Sequence, residues 1–319
     1  MTALSGSVIL RAPAKINLSL LVGPPRPDGY HPLSTVFMPV DLSDRLEFTL
    51  DAAPGSAPGE SRFHVECDGI PSESNLVSKA LRTVEALTGW LFTGSVTVMK
   101  GIPTGAGLGG GSSDAALALR TAARLVAHLG GPRLDEKALQ AAARDLGADV
   151  PFFLAPHTSL AAGAGDALEP LSLPEMPLVF LLPREELSTA EVYRAFDGNG
   201  PAEDNQMFET RRRENEAAWR DLSHQWVAGR ESAEIVRGVA ELLANDLEPA
   251  GFGLVPHLTR SKDALLGEGV LGSLMSGSGP TLFAVCESWA GAERTAERMR
   301  RKGHEASPVW GGVRAVPGP

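Results

Sequence analysis

Apolar and polar residues alternate near the start of the chain. In SVILRAPAKINLSLLVG, Val8, Leu10, Ala12, Ala14, Ile16, Leu18 and Leu20 share one parity, and Arg11, Pro13, Lys15, Asn17 and Ser19 share the other. Successive strand residues point to opposite faces, so this period of two predicts a strand with one apolar face. Lys15 and Asn17 then stand on the same face, about 7 Å apart along the strand. GPPRPDGYHPL breaks the alternation and reads as a loop on its Pro, Asp and Gly content. STVFMPVDLSDRLEFTL predicts two more strands, and APGSAPGES a turn leading to the next.

The period then lengthens. ESNLVSKALRTVEALTG reads as a helix, and SVTVMK, from Ser95 to Lys100, as a strand that runs into IPTGAGLGGGSSDAALAL. There a glycine-rich run gives way to a helical apolar pattern, with Ser112 or Ser113 the expected cap. LDEKALQAAARDLG is a further helix closed by Gly147. In ADVPFFLA, Pro151 favours an extended Val150, which places Asp149 at a helix-to-strand turn. Near residue 160 the texture changes. PLVFLLP reads as a buried strand, helical patterns dominate from about 188 to 267, and VLGSLMSGSGPTLFAVC reads as two strands around a Gly/Ser loop. A helix, WAGAERTAERMRRKG, and a last strand, EASPVWGGV, follow. Strands and helices mix without strict alternation, so the expected class is α+β, in two domains, 1–160 and 161–319.

Composition narrows the functions open to such a fold. The chain has 319 residues, 43% apolar and 21% charged, enough to bury a sizeable core. Its 35 Gly and 24 Pro sit between periodic segments and indicate tight loops. A formal charge of −10 argues against a general nucleic-acid or membrane surface. An anionic ligand would therefore need a nest of backbone N–H groups or a few placed cations. Cys67 and Cys286 are too few for a disulfide framework or a zinc site and point to a reducing, cytoplasmic setting. No run reaches the roughly 18 apolar residues of a membrane span. Arg11 and Lys15 interrupt the apolar N-terminal stretch, so no signal peptide is expected.

What lies against the bare backbone of the glycine run has three readings. Gly105, Gly107 and Gly110 match the G-x-G-x-x-G dinucleotide pattern, but the chain passes from one helix into another instead of into a second strand with an acidic end. A P-loop needs a lysine before the Ser pair, and none is there; the catalytic and metal motifs of protein kinases are also missing. The third reading is a different phosphate cradle, in which backbone N–H groups and a helix N-terminus close around an anion. Ser112 and Ser113 could then offer a hydroxyl to phosphate or to Mg²⁺. Asp114 suits the first helical turn but would repel phosphate; it is either a helix-start residue or a metal holder through water.

Five stretches, taken in order, carry a resemblance. PAKINL (13–18), DGYH (28–31), GAGLGGGSSDAA (105–116), GADVPFF (147–153) and MSGSGPT (275–281) are similar to the successive motifs of the GHMP kinase superfamily. The glycine–serine motif is shared with its galactose, homoserine and mevalonate kinases. The Lys-x-Asn and Asp-Gly-Tyr-His pair resembles the branch that phosphorylates a diphosphocytidyl sugar alcohol on its tertiary 2-hydroxyl, in the non-mevalonate isoprenoid route. The resemblance implies an N-terminal ribosomal S5 domain-2-like fold and a ferredoxin-like C-terminal domain, with the small-molecule acceptor in the cleft between them. It implies ATP, with Mg²⁺, on Pro103, Gly105, Gly107, Leu108, Gly109, Gly110, Gly111, Ser112 and Ser113, with Lys100 and Asn75 near the nucleotide.

It also implies that Lys15 and Asp149 are the catalytic pair. The chemistry agrees: a hydroxyl attacking a γ-phosphate needs a carboxylate to accept or orient its proton, and a nearby ammonium keeps that carboxylate ionised. By the same resemblance Tyr30 and His31 bind cytosine, by stacking and by reading the base edge, and Asn17 holds the methylerythritol part. Tyr193 falls where a second stacking aromatic is placed, or is a helix tyrosine packed on the core. Ser276, Gly277, Ser278 and Gly279 would add backbone donors near the reacting phosphates, or form a bare hairpin turn. The run Arg211–Arg213, flanked by Glu209, Glu214 and Glu216, reads as a solvated helix face, and the five scattered tryptophans as packing residues.

Overall fold

Strands β1 (Val8–Val22) and β2 (Leu33–Pro54) lie antiparallel along almost their whole length and form the spine of the molecule. The structure is a computed structural model and describes residues 7–27, 29–55, 62–163, 167–198 and 204–312. Asp28 of the DGYH motif lies outside them, as does most of the APGSAPGES turn. Two strands were expected over 34–50, but β2 is one strand of 22 residues. Its polar middle does not break it because β2 changes partner there. β1 stays paired across residues 33–48, while the second partner changes from β5 (Ser159–Gly163) on residues 33–37 to β4 (Trp90–Met99) on residues 45–54. The register of β1 against β2 shifts between Pro13 and Ala14, opposite this changeover.

The remaining N-terminal elements are β3 (Arg62–Cys67), α1 (Leu76–Thr88), α2 (Gly110–His128), α3 (Glu136–Leu146) and α4 (Val150–Leu154). Then come β6 (Ala167–Pro170), β7 (Met176–Leu181), α5 (Thr189–Gly198), α6 (Asn205–Val227), α7 (Ser232–Glu241) and the two-residue β8 (Ala244–Asn245). The chain closes with α8 (Glu248–Leu254), α9 (His257–Leu266), β9 (Gly272–Met275), β10 (Leu282–Val285), α10 (Trp289–Arg301) and β11 (Ala306–Gly311). The strands join in one sheet of order β3-β4-β2-β11-β7-β10-β9, with β1, β5, β6 and β8 branching from it.

Two cores flank this sheet near the glycine loop. In one, Val77, Leu81 and Val84 of α1 meet Leu119, Ala122 and Val126 of α2 over Phe48 and Val96. The inward face of α2 is mostly alanine, which lets the helix lie close to the strands. In the other, Ile16 and Met38 pack with Phe180, Trp219 and Phe283. Together they fix β1 and the start of α2 as rigid neighbours.

Four local expectations change. Neither Ser112 nor Ser113 caps α2: the cap is Gly109, in a left-handed conformation, so both serines lie in the first turn. Pro151 does not hold Val150 extended, because proline is accepted in the first turn of a helix and α4 begins there; Asp149 therefore sits between two helices. The arginine run is more than a solvated face. Arg211 holds Asp246 through both nitrogens at 3.0 and 2.8 Å, and Arg212 meets Glu216 at 2.6 Å. Trp289 and Trp310 stack on each other, 4.9 Å between centroids, while Trp219 is buried as expected. No helix among the described residues is long and apolar enough to cross a membrane.

Candidate active site

The backbone N–H of Lys15 donates to the carbonyl of Leu108 at 3.0 Å, which ties the middle of β1 to the glycine loop. The two segments line one cleft of about 440 Å³. Its floor holds Lys15, Asn17, Thr35 and Phe37; one wall is the run from Pro103 to Ser112; Asp149, Tyr193, Gly277 and Ser278 close the other side.

Lys15 is buried, so its ammonium needs partners. Nζ donates to Asn17 Oδ1 at 2.8 Å, lies 3.4 Å from Asp149 Oδ2, and sits 5.3 Å from the centre of the Phe37 ring. Asp149 is about one-third exposed and points its carboxylate into the cleft, where an acceptor hydroxyl can reach it. Tyr193 approaches the same carboxylate, and its phenol is pushed up to about 12 by burial and then by the charge of Asp149. Its hydroxyl therefore stays a hydrogen-bond donor.

The cradle is shaped by glycines that no other residue could replace without movement. Gly107 has φ +74°, and a Cβ there would stand 2.3 Å from the carbonyl oxygen of Ser276. Gly109 has φ +72°, and a Cβ would meet the Phe153 ring at 2.9 Å and the Lys15 side chain at 3.1 Å. The Ser276–Gly279 loop is thus more than a bare turn. Ser276 Oγ donates to the carbonyl of Gly107 at 3.1 Å, Ser276 and Gly279 back the glycine loop, and Gly277 and Ser278 face the cleft. Open backbone at the start of α2 fits a chain of phosphates. Ser113 Oγ is buried at the head of that helix and finds no hydrogen-bond partner among the described residues, whereas Ser112 faces the cleft. Either hydroxyl suits a hard cation shared with phosphate oxygens.

At the far end of the cleft, Lys100 Nζ meets Asp44 Oδ2 at 2.5 Å and Asp114 Oδ2 at 3.0 Å. Asp44 is fully buried, and its other oxygen accepts the N–H of Gly101 at 2.7 Å and of Ile102 at 2.8 Å. Burial alone would lower the Lys100 ammonium, but Asp114 and Asp44 outweigh it and hold it above its usual value. Burial raises the Asp114 carboxyl, Lys100 opposes this, and Asp44 adds to it. Asp114 is therefore part of a buried triad behind the loop. Asn75 caps α1 through Oδ1, which accepts the Val77 N–H at 2.9 Å, and the residue lines the cleft.

The expected base-binding residues divide. His31 is buried: Nδ1 contacts the carbonyl of Gly23 at 2.7 Å and Nε2 lies 3.3 Å from Asp197. Its ring centre is 5.3 Å from that of Tyr193 and 5.9 Å from that of Phe196, so it joins the loop to α5. Tyr30 is 70% exposed and stands outside the cleft lining, so the two tyrosines do not yet face each other as a clamp. Sequence reasoning missed Thr35 and Asp44. Both sit in strand-like runs where nothing marks one polar residue above its neighbours.

Two family models match separate parts of the chain. Residues 75–156 match the family model described as GHMP kinases N terminal domain, and residues 231–305 that described as GHMP kinases C terminal. The chain is 37% identical over 304 residues to the 4-diphosphocytidyl-2-C-methyl-D-erythritol kinase of Geobacter sulfurreducens, covering 94% of this chain and 97% of that one. The crystal structure of a 4-(cytidine 5'-diphospho)-2C-methyl-D-erythritol kinase superposes with a TM-score of 0.70 at 34% identity, covering 96% of this chain and 100% of that one. A homoserine kinase from Cytophaga hutchinsonii shares the fold, with a TM-score of 0.67 at 21% identity over 99% of this chain and 97% of that one.

Proposed function

The chain belongs to the GHMP kinases, beside the 4-diphosphocytidyl-2-C-methyl-D-erythritol kinases, and on that premise we propose that it transfers the γ-phosphoryl group of ATP to the 2-hydroxyl of 4-diphosphocytidyl-2-C-methyl-D-erythritol, giving the 2-phosphate and ADP. The observation that carries this is the Lys15–Asp149 pair, 3.4 Å apart, beside a glycine cradle on the same cleft. The cradle holds the phosphates through backbone N–H groups, without a change of position as charge moves. Asp149 accepts or orients the proton of the attacking hydroxyl. Lys15 offsets the negative charge that gathers between that carboxylate and the phosphoryl group. Ser112 or Ser113 would hold Mg²⁺, which would supply charge neutralisation on the phosphate oxygens.

The acceptor's base lies toward Tyr30, His31 and Tyr193, at the α5 side of the cleft, and the nucleotide toward Asn75 and Lys100. We place the division between the two domains near residue 160, where the residues of the core around α1 and α2 end. Two free thiols and the acidic surface fit a cytoplasmic enzyme.

The test is ADP release with the diphosphocytidyl sugar alcohol against homoserine, mevalonate and galactose, for the native protein and Asp149→Asn. Turnover should be confined to the first acceptor. The variant should lose about 10²- to 10⁴-fold while still binding ATP. Turnover with another acceptor would move the protein elsewhere in its family, and an active variant would remove Asp149 from the chemistry.

A further inference from the structure

Three hydrogen bonds run in one direction beneath the cleft. Thr35 Oγ1 lies 2.6 Å from the carbonyl oxygen of Ser19, Asn17 Nδ2 lies 2.7 Å from Thr35 Oγ1, and Lys15 Nζ lies 2.8 Å from Asn17 Oδ1. Thr35, Asn17 and Lys15 are all buried, and Ser19 is fully so. A carbonyl oxygen carries no hydrogen, so the proton between Thr35 and Ser19 belongs to Thr35. A hydroxyl has only one proton to give, so toward Asn17 the threonine oxygen must accept. Only the NH₂ of the Asn17 amide can supply that bond. Its oxygen is left pointing at the Lys15 ammonium.

We propose that Thr35 is a positioning residue for phosphoryl transfer: by spending its proton on the Ser19 carbonyl it locks the orientation of the Asn17 amide, and the amide in turn holds Lys15 at Asp149. With the amide turned over, NH₂ would face NH₃⁺, and two oxygens would meet at Thr35 with no hydrogen between them. Both contacts would be lost in a buried place, where an unpaired polar group costs most. The backbone makes the arrangement possible. The register of β1 against β2 shifts between Asn17 and Ser19, so that Asn17 opposes Phe37 while Ser19 opposes Val36. Such a bulge re-aims side chains, and here one threonine reaches both the amide of residue 17 and the carbonyl of residue 19. Asn17 thus has both ends of its amide engaged within the protein, its oxygen on Lys15 and one N–H on Thr35, while it lines the cleft.

This inference rests on Lys15 and Asp149 being the reacting pair, so Asp149→Asn is assayed beside the variants. Thr35→Val keeps the branched shape and removes the hydroxyl. We expect kcat to fall roughly 10- to 100-fold, as for a displaced catalytic group. The ATP dissociation constant should stay within about twofold, since the proposal leaves the cradle untouched. Thr35→Ser should restore most of kcat, and in an Asn17→Ala background Thr35→Val should cost little more. Thermal melts accompany each assay; if Thr35→Val does not fold, Thr35→Ala, which leaves room for water, reports the same quantities. An unchanged kcat in Thr35→Val, a full additional loss on top of Asn17→Ala, or a folded Thr35→Ser as impaired as Thr35→Val overturns the proposal. Turnover surviving in Asp149→Asn instead removes the catalytic pair itself.

Discussion

Tyr30 and Tyr193 are the two tyrosines of the chain, and their surroundings are opposite. Tyr193 packs beside the His31 ring and feels the charge of Asp149, whereas Tyr30 projects from a Pro/Gly loop. A ring this exposed buries little area on folding and is within reach of a ligand. Tyr30→Ala should therefore change the melting temperature little and raise KM for the diphosphocytidyl acceptor. Loss of one base stack is worth about 1–3 kcal/mol, or roughly 5- to 150-fold. Kinetics with both substrates varied decide the matter. A weakened ATP constant with an unchanged acceptor constant would put the pyrimidine at the wrong end of the cleft. The resemblance offered a stacking role for Tyr193 beside a packing one, and the sequence left both open, because a helical tyrosine reads the same whether it packs or stacks.

At the scale of elements, the glycine loop and the Ser276–Gly279 loop act as one unit. A methyl at residue 107 would press on the Ser276 carbonyl, and one at residue 109 on Phe153 and Lys15. Gly107→Ala should therefore part the two loops and weaken ATP binding, with both strain at φ +74° and a backbone clash against it. Calorimetric titration with ATP, beside a melt, checks this; intact affinity would mean that phosphate does not use this backbone. The loop, the strand before it and the helix after it were readable from the sequence because glycine, period two and period 3.6 are local signals. The cap of α2 and the start of α4 were not. Serine and proline announce a helix start only to within a turn, and the backbone conformation of Gly109 decided between the candidates. The two-strand reading of residues 34–50 failed for a non-local reason. Asp44 looks like a strand breaker until Lys100 and the Gly101 and Ile102 amides, far along the chain, surround it.

For the whole molecule, the two cysteines report different events. Cys67 lines the Lys100 end of the cleft, where we propose the nucleotide lies, and burial raises its thiol despite the opposing pull of Lys100. Cys286 follows β10 and is buried, which pushes its thiol up to about 11. The thiolate is the reactive form, so near pH 8 both remain mostly protonated. Thiol labelling at that pH should modify Cys67 slowly, more slowly still with ATP present, and Cys286 only under denaturing conditions. A Cys67 rate indifferent to ATP would place the adenine elsewhere, and rapid labelling of Cys286 would mean that the C-terminal half opens on its own.

The sheet order carries a consequence in time. β11, the final described strand, lies between β7 and β2; it pairs with β7 over six residues and touches β2 at Gly311 and Val40. β7 is apolar throughout and already bonded to β10 on its other side. A ribosome releases β11 after the other described strands, so the nascent chain carries β7 with a bare, apolar edge until β11 emerges. Misassociation is thus most favoured in the interval before β11 pairs with β7.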